Sequence, residues 1–234
     1  RSMPGLSDIC ARSTNGTKAN RPNLISDAIT ASMLLRPSNP DMLFGGYQPI
    51  SLSDFPGRVA AILFTQGCNF RCPYCHNAEL IPLCAHPDKT FGRKEALALI
   101  QSRQGLLEGV VITGGEPTIQ PDLYDFLCEL RTLSLKIKLD TNGSNPDCLA
   151  RLLRDNLLDY VAMDIKAPEC KYDLLSGSAV DYPSIQKSIA LLAGSAIDCH
   201  FRTTFMQPLL NDDDIESIRT SLPENIRYIV QECK

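Results

Sequence analysis

The chain has 234 residues, of which 44% are apolar, with a net charge of −4 and a sequence pI near 5.4. This length suits one domain with or without a tail, and the apolar content is enough for a full core. The mildly negative charge gives no electrostatic reason to expect a nucleic-acid partner. No apolar stretch reaches about 18 residues and the N-terminus lacks an apolar signal segment, so we predict a cytoplasmic protein without a membrane helix.

Residues 1–41 differ in composition from the rest of the chain. They are rich in Ser, Asn, Pro and Arg and show no sustained hydrophobic period. Such a segment cannot bury enough apolar surface to offset the loss of conformational entropy on folding. We therefore predict a disordered or loosely packed extension at 1–41 and one core domain at 42–234.

Short apolar runs then alternate with helix-length amphipathic segments. The runs predict six strands, near residues 59–64, 110–113, 136–140, 160–165, 198–205 and 228–230. The intervening segments predict five helices, in the regions of residues 93–102, 122–130, 146–157, 185–192 and 211 onward. Strict alternation implies a parallel sheet with right-handed crossovers, and six repeats are too few for a closed eight-fold barrel. The predicted fold is α/β, an open (β/α)6 partial TIM barrel with parallel strands.

The long loop after the first predicted strand carries Cys68, Cys72 and Cys75 in a C-x3-C-x2-C spacing. Thiolates are the usual ligands of iron–sulfur clusters, so this loop can supply three ligands to a [4Fe–4S] cube. The fourth iron then stays open to another ligand. A Cys3His zinc site with His76 is the alternative, but His76 directly follows Cys75 and no second C-x2-C pair is present.

Polar residues also follow four later strands at the point where each ends. In parallel barrels these ends meet on one rim, and working groups lie there. Each group alone has a simpler explanation, such as a Gly-Gly turn, an ion pair across a strand end or a charge that caps the sheet. A glycine pair also lets a ligand approach the backbone. We predict one site on this rim, formed with the cysteines by Gly114, Gly115, Glu116, Asp140, Thr141, Asn142, Asp164, Lys166 and Arg202.

The cysteine spacing resembles the signature of the radical S-adenosylmethionine (SAM) superfamily. The segments FTQGCNFRCPYCHNAEL and TGGEPTIQ resemble the activating enzymes of glycyl-radical proteins, above all the family that activates anaerobic ribonucleoside-triphosphate reductase. The resemblance runs from about residue 43 to the C-terminus. It implies an open six-strand barrel, with a [4Fe–4S] cluster and SAM as cofactors.

The resemblance further implies roles for single residues around SAM. Gly114, Gly115 and Glu116 match the segment that holds the methionine amino group in these enzymes. Tyr74 matches an aromatic residue that lies near the adenine. We also expect a set of polar residues near the cofactor, namely Asp140, Asn142, Lys166 and Arg202.

Two of these expectations concern ions and carboxylates. Asp140 and Thr141, together with Asp164, resemble a monovalent-cation site of related activating enzymes. The guanidinium of Arg202 suits the methionine carboxylate or the backbone of a substrate, because it can donate two parallel hydrogen bonds.

The predicted function is reductive cleavage of SAM at a [4Fe–4S] cluster, which generates a glycyl radical on a partner enzyme. The resemblance points to anaerobic ribonucleoside-triphosphate reductase as that partner and to flavodoxin or ferredoxin as the electron donor. The motif itself leaves open an enzyme like the pyruvate formate-lyase activase, or a radical SAM enzyme for a small molecule or nucleotide. From a different class, a zinc-binding adaptor without catalysis is the remaining alternative.

Overall fold

The computed structural model of the protein describes residues 42–84, 87–224 and 226–232. The extension predicted at 1–41 lies outside these residues. The described chain forms one sheet of eight strands, namely β1 (Leu43–Ser51), β2 (Ala60–Thr65), β3 (Phe91–Gly92), β4 (Gly109–Gly114), β5 (Lys136–Thr141), β6 (Tyr160–Asp164), β7 (Asp198–Phe205) and β8 (Arg227–Glu232).

The strands follow the order β3-β1-β2-β4-β5-β6-β7-β8 across the sheet. Neighbouring strands from β2 to β8 pair in parallel, as six β/α repeats require. The sheet ends at β3 and β8 and does not close on itself. The predicted open, mostly parallel α/β barrel is therefore confirmed.

Six helices connect or flank these strands, namely α1 (Arg93–Gln101), α2 (Leu123–Arg131), α3 (Pro146–Arg154), α4 (Tyr172–Ser176), α5 (Tyr182–Ala193) and α6 (Asp212–Ser221). The start of α6 is fixed by a reciprocal cap in which the Asn211 side chain accepts from the Asp214 N–H and the Asp214 side chain accepts from the Asn211 N–H. Of the six, only α4 is absent from the sequence prediction, because five residues are too few to show a helical period.

None of the helices in the described part of the chain is long and apolar enough to cross a membrane.

The prediction of six strands is incomplete at one edge, where β1 and β3 add an antiparallel pair. The glycines of β1 weaken its strand signal in the sequence, since glycine is depleted in strands. The structure explains one of these glycines, Gly45. A Cβ at Gly45 would lie 2.4 Å from Leu80 Cδ2 and 2.6 Å from Gln66 Oε1. Glycine at this position therefore lets β1 lie against the loop that follows β2.

The two faces of the sheet have different environments, because successive side chains of a strand point to opposite faces. Val110, Ile112 and Leu139 belong to the main core, which also contains Leu127 of α2 and Leu152 of α3. The opposite face forms the inside of the barrel. It is apolar near the strand starts and polar near the strand ends, so the polar groups collect at the rim.

A second apolar cluster fills the inside of the barrel near the strand starts. It contains Phe55, Ala60, Ile62 and Val111, with Tyr160 packed against them. The aromatic rings of Phe55 and Tyr160 lie 6.1 Å apart. The segment between β1 and β2 thus folds into the barrel, and its Phe55 ring packs against Tyr160 below the polar rim. These two rings are here called the aromatic floor.

A buried histidine lies beside this floor. His200 is 8% exposed, and its Nδ1 lies 2.9 Å from the hydroxyl of Tyr160. Burial, with the nearby charges of Lys138 and Arg202, lowers the pKa of His200 to about 4. An unfolded histidine titrates near about 6.5, so between these values the unfolded chain binds a proton that the folded chain does not.

We therefore expect the free energy of unfolding to fall as the pH drops from about 6.5 to about 4, and His200→Gln to remove part of this fall. Denaturant unfolding across this range measures the effect. Tyr160→Phe is the control, because it removes the hydrogen bond but keeps the histidine, and its pH dependence should match that of the wild-type protein. Equal slopes for His200→Gln and wild type would contradict the assignment.

Candidate active site

A cavity of about 390 Å³ lies at the strand ends, on the inside of the barrel. The structure brings together in its lining every residue that the sequence analysis placed at the site, namely Cys68, Cys72, Tyr74, Cys75, Gly114, Gly115, Glu116, Asp140, Thr141, Asn142, Asp164, Lys166 and Arg202. These residues come from five separate segments of the sequence. Their convergence follows from the parallel sheet, which places all of its strand ends on one rim.

Residues 66–77, here called the cysteine loop, leave the end of β2 and turn back across the rim. The N–H of Gly67 donates to the Leu80 carbonyl oxygen at 2.8 Å, and the N–H of Cys68 donates to the Ile81 carbonyl oxygen at 3.0 Å. Gly67 has a φ of +99°, a value that favours glycine. These contacts fix the start of the loop against the segment that follows it.

The middle of the cysteine loop rests on the end of α4. The N–H of Arg71 donates to the carbonyl oxygen of Ser176 at 2.7 Å. The next residue, Gly177, has a φ of +63°, and a Cβ there would lie 2.1 Å from the Arg71 carbonyl oxygen. The sequence analysis missed Gly177. The available signal was a glycine that directly follows a helix, which is a common helix stop.

The described cysteine thiols are free of disulfides. Burial raises the pKa of Cys68 to about 12 and also raises the pKa of Cys72. The thiols of Cys68 and Cys72 therefore hold their protons more tightly than free thiols until a metal supplies positive charge, since a coordinating thiol loses its proton.

The donor set of the site is three thiols from one loop, at Cys68, Cys72 and Cys75. A zinc site needs all of its ligands on one ion, whereas a cube takes each thiolate on a different iron. Cys68, Cys72 and Cys75 all face the same cavity, so they are the residues that would hold a [4Fe–4S] cluster.

The carboxylate of Glu116 is fully buried and is used within the protein. Its Oε1 accepts hydrogen bonds from the Thr118 N–H at 3.0 Å, the Thr118 hydroxyl at 2.5 Å and the Thr141 hydroxyl at 2.7 Å. Its Oε2 accepts from the Asn142 N–H at 2.7 Å. Burial raises the pKa of Glu116 despite these hydrogen bonds, which favour the charged form. The side chain is thus engaged by the protein, and the predicted contact of this segment with the cofactor stays a prediction.

Protein packing, and not only ligand access, requires the two glycines before Glu116. Gly114 has a φ of +110°, and a Cβ there would lie 2.4 Å from the Thr65 nitrogen. A Cβ at Gly115 would lie 2.0 Å from the Gly67 carbonyl oxygen. That same oxygen accepts a hydrogen bond from the Glu116 N–H at 2.8 Å. The end of β4 is thus joined directly to the start of the cysteine loop.

Five charged side chains form a connected network across the ends of β5, β6 and β7. Arg202 joins the two carboxylates, through an ion pair of Nη2 with Asp140 at 3.3 Å and a hydrogen bond from Nε to Asp164. Lys138 pairs with Asp140 at 2.5 Å, and Lys166 pairs with Asp164 at 3.0 Å. The sequence analysis missed Lys138, because a lysine inside an apolar run resembles an exposed residue of an edge strand.

The network sets the charge state of its members. Burial favours the neutral form of Asp164, but the charges of Arg202 and Lys166 outweigh burial and hold its pKa well below the usual range. Burial likewise opposes the charge of Lys166, but Asp164 outweighs it and raises the lysine pKa. Asp164 and Lys166 are therefore both charged at neutral pH.

These contacts bear on the predicted monovalent-cation site. Asp140 and Asp164 are already paired with cationic side chains, and the hydroxyl of Thr141 donates to Glu116 and accepts from the Gly143 N–H at 3.1 Å. A cation at this place would have to compete with Arg202.

The predicted contact between Arg202 and a carboxylate of the cofactor stays a prediction, and Arg202 does line the cavity.

Comparison with known proteins defines the class. Residues 62–222 match the model of the Radical SAM superfamily, which is well over half of the chain. The chain therefore belongs to the radical SAM superfamily, and it is an enzyme whose cofactors are a [4Fe–4S] cluster and SAM. When both are bound, the cluster supplies one electron to SAM, and SAM supplies a carbon radical. The cavity described above is the place where its lining residues would hold and enclose both cofactors.

Two relatives and two solved structures of one protein are similar to this chain. The chain is 29% identical over 199 residues to a Methanocaldococcus jannaschii protein provisionally named glycyl-radical enzyme activating enzyme MJ1227, covering 81% of this chain and 79% of the relative. It is 35% identical over 104 residues to a Thermococcus kodakarensis protein provisionally named GTP 3′,8-cyclase, covering 44% of this chain and 33% of that one.

One of these structures is SuiB of Streptococcus suis bound to its precursor peptide SuiA. It superposes with a TM-score of 0.60 at 19% identity, over 74% of this chain and 38% of SuiB. SuiB bound to SAM gives a TM-score of 0.53 over 72% of this chain and 37% of SuiB. At this level of identity the likeness shows the fold, and it confirms the partial barrel.

The contact at Gly177 provides a direct test of the loop geometry. Gly177→Ala would force the Arg71 carbonyl away, so we expect the iron and sulfide content after anaerobic reconstitution to fall to less than about half of the wild-type value. The control is Gly105→Ala, a glycine with a φ of +88° and no atom within 4 Å of its Cβ position. The Gly105→Ala variant also places a side chain at a positive φ, but without a steric clash, and should therefore retain its iron. Equal iron contents in the two variants would contradict the account.

Proposed function

We propose that the protein is an activating enzyme that generates a glycyl radical on a partner enzyme, and that the partner is an anaerobic ribonucleoside-triphosphate reductase. The sequence resemblance of residues 64–80 and the 29% identity to a relative provisionally named for this activity support the proposal. One electron, from a donor such as flavodoxin or ferredoxin, cleaves the S–C5′ bond of SAM. The resulting carbon radical takes the hydrogen atom of a glycine Cα, giving methionine, 5′-deoxyadenosine and the glycyl radical.

The position of the cavity carries this proposal. It lies beside the end of an unclosed sheet, where Thr204 of β7 and its register partner Gln231 of β8 are both in its lining. Only β7 pairs with β8 in the described sheet, and most β8 side chains are exposed. A loop of another protein therefore has a path to the rim from this side.

The size of the cavity agrees with a polypeptide substrate. Its volume of about 390 Å³ is near the lower end of the range for small-molecule sites, which is roughly 300–1,000 Å³. The same cavity has to hold the open face of the cluster and the whole of SAM. A glycine at the tip of a loop needs only access of its Cα–H to this cavity.

A radical SAM enzyme for a nucleotide is the second candidate. It is favoured by the partial match to proteins provisionally named GTP 3′,8-cyclase, which covers 44% of this chain. The two candidates differ in where the hydrogen atom comes from, and this difference can be measured.

The test combines the reduced, cluster-loaded protein with SAM and the candidate reductase in the absence of oxygen. We expect a doublet electron paramagnetic resonance signal on the reductase, which narrows when its glycine is deuterated at Cα. The Cys72→Ala protein is the control and should give no signal, because it lacks one cluster ligand. Cleavage of SAM without a radical on the reductase, or consumption of GTP in its place, would count against the proposal.

A further inference from the structure

The cysteine loop has a further contact, which uses side chains and joins it to the segment that follows β5. The amide Nδ2 of Asn142 donates to Asn69 Oδ1 at 2.9 Å, and the amide Nδ2 of Asn69 donates to the Ser144 hydroxyl at 2.8 Å. Asn142 Oδ1 in turn accepts from the Ser144 N–H at 2.9 Å. Asn69 lies between Cys68 and Cys72, so this contact acts on the segment that joins two of the three thiols.

Asn142 is itself held in place. It is 5% exposed, and its N–H donates to the fully buried carboxylate of Glu116. Glu116 also accepts a hydrogen bond from the hydroxyl of the preceding residue, Thr141. The buried carboxylate therefore fixes the backbone from which the Asn142 amide extends. Three further hydrogen bonds to the same carboxylate, from Thr118 and Thr141, hold this anchor in place.

We infer that Asn142 and Asn69 are positioning residues for the cluster, and that their mutual hydrogen bond holds the Cys68–Cys72 segment in its cluster-binding position. Glu116 acts through Asn142 in this arrangement. The hydrogen bond between Arg71 and Ser176 holds the same segment at a second point. The inference rests on the cluster-binding role of the loop and is independent of the partner enzyme.

These contacts also explain why the polar side chain of Asn142 lies in the lining of the cavity. The sequence analysis placed this residue at SAM, but both atoms of its side-chain amide already contact the protein. Its place in the cavity lining follows from its contact with the loop. A side chain in this position influences how readily the loop opens and releases iron.

The test is a double-mutant cycle on the cluster-loaded protein. Asn69→Ala, Asn142→Ala and the double variant are reconstituted without oxygen and exposed to a ferrous-iron chelator, and the loss of the visible cluster absorbance is followed. We expect each single variant to lose its cluster at least about fivefold faster than wild type, because each removes the shared hydrogen bond and one contact with Ser144. The double variant should lose its cluster more slowly than the product of the two single effects, because both substitutions remove the shared bond.

Asn145→Ala is the matched control. Asn145 also follows β5 and makes two hydrogen bonds, accepting from the Cys148 N–H at 3.2 Å and donating to the Thr118 carbonyl oxygen at 2.7 Å, but it caps α3. Its replacement should lower the melting temperature of the metal-free protein, as the loss of a helix cap does, and leave the rate of cluster loss unchanged.

Three results would overturn the inference: single variants that lose the cluster at the wild-type rate, a double variant whose rate is the product of the single effects, or an equal effect of Asn145→Ala. Asn69 is exposed, so Asn69→Ala removes no core contact and carries the test by itself if Asn142→Ala does not fold. No step of this experiment uses a glycyl-radical partner, so its outcome and that of the partner experiment are separate.

Discussion

The position of the cysteine loop depends on backbone contacts that are too close for any side chain. Gly115 meets Gly67 at the start of the loop, and Gly177 meets Arg71 in its middle. A Cβ at either glycine would lie about 2 Å from a carbonyl oxygen, which no L side chain tolerates without displacing the backbone. These contacts place the thiols at the ends of the strands, and the site can be organised only because the loop is held there.

Charge balance is the second constraint on the site. Three cationic side chains and two carboxylates share the ends of β5, β6 and β7, and Arg202 links both carboxylates. Burying a charged group costs free energy unless the group is paired. The ion pairs within the network therefore offset the cost of burying its charges. The network also leaves one positive charge in excess. Lys166 lies in the same cavity as the thiols, and its charge favours thiolates once they bind iron.

The six parallel strands and the polar residues at their ends could be predicted from the sequence. Apolar runs indicate the strands locally, and a parallel sheet brings all of the strand ends to one rim. The sequence could not predict β1, whose glycines lower the strand signal, or Gly177, whose role depends on a contact with a residue more than a hundred positions away. The assignment of Glu116 and Asn142 to the cofactor stays a prediction. The sequence could not show that the protein engages both side chains in hydrogen bonds, because these contacts exist only in the folded arrangement.

The central claim is that three thiolates bind the cluster and leave one iron open for SAM. The most direct measurement is electron–nuclear double resonance on the reduced, cluster-loaded protein mixed with SAM that carries a ¹⁵N label in its amino group. The account predicts a strong hyperfine coupling between the cluster and the labelled nitrogen, because that nitrogen binds the open iron. No coupling in a protein that retains its full iron content would mean that a fourth protein ligand closes the cluster, and this result would contradict the account.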